Sequence, residues 1–487
     1  MTNVTVESPF GGDPGSEAVD ALWVMMATFI IFTMQSGFGL LESGIVSRKS
    51  ESNVMVKNVL DVCLGGMTFW LFGFGFIFGP DSSDNVNKFS GTGHWAVTVD
   101  VENEAATYTQ MFFHLSFSTA ATTIVSGAVA ERVHLPAYMI FAAINTGLIY
   151  VFPAHWAWGG GWLSQEAFFD FAGSSVVHMA GGIAALVAAI IMGPRHNRFT
   201  PKEGEEDLYD MSSPTNIILG TFFLWWGWIG FNCGSTFAVT GGGWKIASKT
   251  AVVTMNGAMA GGLSAVLLSG VLYLTRRRRY ILDIAYLASG ILGGLVGVTA
   301  CAPIIRPWEG LLLGFIGGLI ANGANELVLK LKIDDPVGAF GVHYAAGLWS
   351  MIATGLFAEK IPGIGLAPED GAFKGGNGNL LAWNLAGALA ITCWSGGLAA
   401  VVFLILKYTI GIRMSLDHEI KGSDEVDHNI KDALPPTERK RKHTLGRYVE
   451  KKLSVVSRKF SSSNGSKGMN MEPVRKNNNV ISEVPEV

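Results

Sequence analysis

Eleven apolar stretches, each of about twenty residues, constrain this chain more than any other feature. They run over 20–42, 58–80, 109–130, 137–158, 173–193, 214–237, 250–274, 281–301, 309–330, 338–358 and 383–406. A helix needs about 20 such residues to cross a hydrocarbon core, so the pattern predicts an all-α membrane protein with eleven transmembrane helices. Only 15% of the residues are charged, against about 25% in soluble domains. The 61 glycines suit helices that approach closely through small residues. Leu64-Gly65-Gly66 and Gly257 to Gly262 are expected at such helix–helix contacts. The start of the chain has no basic segment followed by a cleavage site, so the first apolar run reads as an insertion signal that is kept.

Lys and Arg set the orientation, because they concentrate in cytoplasmic loops. With the N-terminus outside, the inner loops hold thirteen: Arg48, Lys49, Lys57, Arg132, Arg195, Arg198, Lys202, Arg276 to Arg279, Lys330 and Lys332. The outer loops hold six: Lys88, Lys245, Lys249, Arg306, Lys360 and Lys374. The expected topology is N-out and C-in. Asn3-Val4-Thr5 is then a glycosylation sequon on the outer end. Cys63, Cys233, Cys301 and Cys393 all fall in apolar runs, away from metal-ligand spacing, and read as buried thiols.

The domain reading is an outer N-terminus over 1–17, a membrane domain over 18–407, a proximal cytosolic tail over 408–428 and a disordered tail over 429–487. In the proximal tail, Ile412, Met414, Leu416, Ile420 and Val426 provide apolar surface for docking. Farther out, Arg439-Lys-Arg-Lys-His-Thr444 places a hydroxyl beside a basic run. It is a topology anchor or, with a kinase as partner, a charge switch.

A repeated unit points to a site. Asp170-Phe-Ala-Gly-Ser-Ser-Val-Val-His178 opens the fifth run, and Asp335-Pro-Val-Gly-Ala-Phe-Gly-Val-His343 opens the tenth. Each places a His eight residues after an Asp, and the two histidines are 165 residues apart. Five helices separate the copies, which is the pattern of an inverted five-plus-five repeat with its site where the halves meet. One intramembrane His is often a packing residue. Two at matching depth point to function, each as the other's partner. Asp170 and Asp335 are expected mainly to cap helix starts, with each His about two turns deeper. Nothing in the chain suggests an enzyme: there is no phosphate loop, metal cluster, HExxH or GxSxG. No metal, cofactor or nucleic acid is implied. Paired imidazoles without a charged neighbour suit a small cation that can give up a proton.

These strings also carry a resemblance. Gly127-Ala-Val-Ala-Glu131-Arg132, His155-Trp-Ala-Trp158-Gly-Gly-Gly161, Asp170-Phe-Ala-Gly with His178, Gly230-Phe-Asn232-Cys-Gly-Ser235 and Phe340-Gly-Val-His343 resemble the Amt ammonium transporters, in the same order. The likeness covers roughly residues 18–428. It implies a plasma-membrane homotrimer whose subunits each conduct ammonium through a narrow hydrophobic pore. By the same resemblance, His178 and His343 are the pore's twin histidines. Trp158 and Ser235 form the outer recruitment site with Phe117 and Phe113. Phe117 and Phe231 are the gate, and Trp228 lies near it. His114 departs from the family, where the best-known relatives have glutamine. It reads as a tolerated polar residue facing a neighbouring helix, against the sharper reading of a pH-sensitive group beside the recruitment site. Ammonium moving as ammonia with a proton relay or as the intact cation, an electroneutral ammonia channel, and a sensor signalling through the tail are the functional readings to be separated.

Overall fold

The protein is described by a computed structural model over residues 14–79, 87–99, 104–201, 208–277, 282–360 and 366–431. The Asn3 sequon, Lys202, Arg278, Arg279 and the Arg439 to Thr444 run lie outside these residues. The chain divides into two units, Met1–Ala433 and Leu434–Val487, and every described residue belongs to the first.

The chain is an all-α membrane protein. Among the described residues, eight helices are long and apolar enough to cross a bilayer, including Gly15–Ile45, Arg48–Phe78, Pro214–Gly234 and Asn379–Thr409. Glu104–Ala128 and the shorter Ile284–Thr299 pack among them. The helices close on each other through small residues, as the glycine pattern predicts. A Cβ at Gly261 would stand 2.3 Å from the Gly290 carbonyl oxygen, and one at Gly65 would stand 2.7 Å from Thr146. Any side chain at either position would push the helices apart, so packing here depends on the missing Cβ.

Three sequence expectations are corrected. Cys63 and Cys393 are exposed on the outside of the bundle, and only Cys233 and Cys301 are buried; all four are free thiols. Lys57 is not a loop residue. It lies in the helix Glu51–Leu60, fully buried, with Nζ donating to the Ser126 carbonyl at 2.7 Å. The helices carrying the paired histidines start later than the Asp-first reading assumes, at Ser174 and Phe340. Each His is therefore about one turn into its helix. Both helices open with a π-helical turn, Ser174–Met179 and Phe340–Ala345. Such wide turns recur at functional sites.

The proximal tail folds back on its own chain. Met414 N–H donates to the Arg132 carbonyl, and His134 N–H to the Ile412 carbonyl, both at 2.9 Å. Ile412 and Met414 are buried, whereas Leu416 is 52% exposed and does not anchor the segment. Carboxylates do that instead. Asp424 caps the helix Glu51–Leu60 by accepting from Ser52 N and Asn53 N at 3.0 and 2.8 Å. Glu419, buried, accepts from Arg413 and from His196 N.

Candidate functional site

The site begins at a vestibule of about 320 Å³ walled by Phe78, Phe113, His114, Phe117, Trp158 and Ser235. Phe113, His114 and Phe117 share one face of the helix Glu104–Ala128 through i,i+3 and i,i+4 spacing. Trp158 ends its helix. Its indole Nε1 donates to the Asp170 carbonyl at 2.9 Å, which fixes the ring against Phe117 at 6.0 Å in an edge-on arrangement. The Ser235 hydroxyl donates back to the Phe231 carbonyl at 2.9 Å. Its proton is therefore committed, and its lone pairs remain to accept a hydrogen bond.

Below the vestibule, Phe117 and Phe231 stack with centroids 3.8 Å apart and planes 7° from parallel. Phe231 and Phe117 are fully buried, and the stacked rings leave no gap between their faces. Phe231 then lies 5.6 Å from the ring of His178. Trp228 stacks on His178 at 4.7 Å and is held by its Nε1 donating to Thr299 Oγ1 at 2.8 Å. His178 Nδ1 and His343 Nδ1 are 3.2 Å apart. Phe38 abuts His343 at 5.9 Å.

The Nδ1-to-Nδ1 contact dictates how the pair is protonated. One ring must donate from Nδ1, which leaves its Nε2 bare. The other must accept at Nδ1, which places its proton on Nε2. A neutral pair thus offers one lone pair and one N–H along the path. His178 Nε2 is buried without a partner among the described residues, so it is available to a passing molecule. Ammonia, both a donor and an acceptor, fits such a pair.

Asp170 lies ahead of the N-cap, Gly173, and its side chain closes the first turn from there. Its Oδ1 accepts from Gly173 N and Ser174 N, both at 2.9 Å, and its Oδ2 from Ser175 N at 2.7 Å and Ser175 Oγ at 2.6 Å. Asp335 Oδ2 accepts from Phe340 N at 2.9 Å. His114 overturns the expectation that it faces a neighbouring helix, since it lines the vestibule. Sequence reasoning missed Glu42, which with Phe38, Leu41, Ile124, Val342 and His343 walls a small cavity of about 20 Å³ on the other side of the histidines. An acidic residue ending an apolar run was the available signal. Among the described residues no cluster of three or more His, Cys, Asp or Glu could hold a metal.

Membrane-crossing helices around a ring-lined path to two touching imidazoles define a multi-pass membrane conduit for a small solute. The sequence model of the Ammonium Transporter Family matches residues 22–433. The chain is 40% identical over 430 residues to the putative ammonium transporter 3 of Caenorhabditis elegans, a match spanning 84% of this chain and 60% of that one. It superposes on the solved structure of a sensor Amt protein with a TM-score of 0.75 and 31% identity, covering 84% of this chain and 98% of that one. Against Mep2 of Saccharomyces cerevisiae the TM-score is 0.72 and the identity 26%, covering 82% and 88%. The chain belongs to the ammonium transporter family.

Proposed function

We propose that this protein transports ammonium across a membrane by capturing the cation in the aromatic vestibule and passing it, as ammonia with a relayed proton, along the His178–His343 pair. The observation that carries this reading is the 3.2 Å contact between the two imidazoles directly beneath the stacked Phe117 and Phe231 rings. A stripped ammonium ion loses strong hydration. The faces of Trp158 and Phe117 return about 2 kcal/mol or more by cation–π attraction once water is excluded, and Ser235 Oγ accepts one N–H. Below the rings the path is apolar, which favours ammonia over the cation and excludes potassium, a cation with no proton to give up. Asp170 and Asp335 shape the site and Trp228 braces His178; we assign none of the three a direct part in transport.

Further readings belong with this one. The matched Asp and His units and their matching π-helical turns support an inverted five-plus-five repeat of eleven crossing helices, N-out and C-in. The membrane domain then covers 18–407 and the docked tail 408–428. The family suggests a homotrimer in the plasma membrane. A kinase acting near Thr444 remains a proposal about the distal tail. The second functional reading is an electroneutral ammonia channel. It is favoured by the closed ring stack, which offers a bare cation no polar partner at its narrowest point.

Voltage-clamp recording with ammonium, methylammonium and potassium separates these readings. The relay predicts ammonium currents that weaken, or lose selectivity over potassium, when His178 or His343 is replaced by an apolar residue. Uptake without current supports the neutral channel. Unchanged current and selectivity in both variants would sink the relay.

A further inference from the structure

We propose that His114 is a third ligand for the captured cation, accepting an N–H hydrogen bond from ammonium at an imidazole nitrogen. The inference rests on the ammonium reading above and deepens it.

The geometry is unusual for a histidine. The side chain is only 4% exposed, yet it lines the vestibule. Rings surround it: Phe78 at 4.6 Å, Phe113 at 5.6 Å, Phe237 at 5.7 Å, Trp158 at 5.8 Å and Phe117 at 6.2 Å. Nδ1 is buried with no hydrogen-bond partner among the described residues. A buried polar group without a partner is costly, and native structures seldom leave one without a reason. Two of the potential donors nearby are already committed, and Gln110, one turn earlier on the same wall, makes no hydrogen bond to Nδ1. Trp158 Nε1 donates to the Asp170 carbonyl and Ser235 Oγ–H to the Phe231 carbonyl. Nδ1 thus has no partner among the described residues, in a chamber whose other walls are mostly aromatic rings.

Ammonium supplies the missing donor. Its four N–H groups point to the corners of a tetrahedron. One can go to Ser235 Oγ and one to the imidazole nitrogen of His114, with the Trp158 and Phe117 faces meeting the remaining charge. Aromatic faces and a hydroxyl attract any small cation of the right size, potassium included. An imidazole nitrogen is a good acceptor for N–H but a poor partner for potassium, which prefers oxygen ligands. His114 thus adds discrimination that cation–π attraction does not provide.

The test compares three replacements at His114 in the full-length protein, at matched surface abundance. H114F fills the same space with a ring and cannot accept a hydrogen bond. H114L removes the ring, and H114Q offers an amide oxygen. W158L serves as a control on the recruitment site itself. The readout is the apparent affinity for ammonium, and the selectivity of ammonium over potassium, from currents or uptake. Loss of one hydrogen bond to a charged group corresponds to about a tenfold weakening or more. The expectation is a loss of that size in H114F and H114L, with selectivity over potassium falling alongside, and H114Q within about threefold of wild type. H114F matching wild type, or H114Q failing as badly as H114F, would overturn the proposal, because the ring would then serve packing alone. If W158L loses affinity and H114F does not, the ammonium reading stands and only the third ligand falls. If the wild-type protein responds to no ammonium concentration, the reading beneath both fails.

Discussion

The two Asp and His units share their spacing and their π-helical turn, yet they are anchored differently. The first holds itself. Both carboxylate oxygens of Asp170 accept bonds from the following turn, down to Val176 N. In the second, Asp335 Oδ1 has no partner among the described residues, and the preceding residue takes over. Asp334 receives both Nε and Nη2 of Arg195, at 2.8 and 2.9 Å, and Arg195 N–H at 2.8 Å. Its carbonyl accepts from Arg132 Nη2 at 2.6 Å. Arg195 also pairs with buried Glu131, which accepts from Ser47. The tail reaches the same stretch, with Arg413 donating to the Met192 carbonyl and Glu419 accepting from His196 N. The turn that leads to His178 is therefore closed by its own Asp, whereas the start of the second unit leans on a network beyond the helix ends that includes the tail. Copies of one motif can diverge in what supports them while keeping the geometry they support.

Cutting the network should have the largest effect. R195A leaves Glu131 and Asp334 buried without their partner, and breaking one side of a buried ion pair costs about 3–5 kcal/mol. Thermal unfolding of the detergent-solubilised protein should report that loss. A cost under about 1 kcal/mol would mean that the second unit also holds itself. D170A should cost about 2–3 kcal/mol, through the lost cap and the donors it leaves unpaired. D335A should cost about 1 kcal/mol, since fewer bonds are lost than at Asp170. Equal losses in these two variants would erase the contrast between the units.

Acid should sharpen the same contrast more gently. Burial alone would raise the Glu131 and Asp334 carboxyls, but Arg195 outweighs it and holds both below their ordinary values. Both lie beyond the ends of the crossing helices. Carboxyls depressed in the folded state contribute stability at neutral pH, and that contribution fades as pH drops below about 4. Wild type should therefore lose thermal stability on acidification, and R195A should lose less over the same interval. Parallel curves for the two proteins would remove the carboxylates from the account.

The repeated Asp and His spacing is legible in the sequence because eight residues is a local measurement. The π-helical turns are not, since they widen only where neighbouring helices accept the bulge, and so the Asp-first reading sets each His a turn too deep. Phe117 and Phe231 are legible only through the resemblance, because apolar rings on a membrane helix look alike whether they face lipid, a neighbour or a pore. For His114 a usable signal is present. It sits three residues before Phe117, so any rotation that brings Phe117 to the path brings His114 close to it. Lys57 and Glu42 are legible as charges within or at the ends of apolar runs, and Lys57 falls into a loop only when its run is drawn from residue 58. The tail's apolar residues suggest docking, while the carboxylates that fasten it, Glu419 and Asp424, reach His196 N and Ser52 N, hundreds of residues away in the chain.

The ring stack also matters electrically. Water and ions on either side of a thin dry layer carry potential with little loss, so a membrane voltage falls mostly across the layer itself. Phe117 and Phe231, together with the buried His178–His343 pair beneath them, make such a layer. A unit charge moved across the full voltage gains about 2.3 kcal/mol per 100 mV, and in this protein most of that work would be done over a very short distance. A proton handed between His178 and His343 would move within the steepest part of the field, so the insulation provided by two phenyl rings places the voltage where the chemistry occurs.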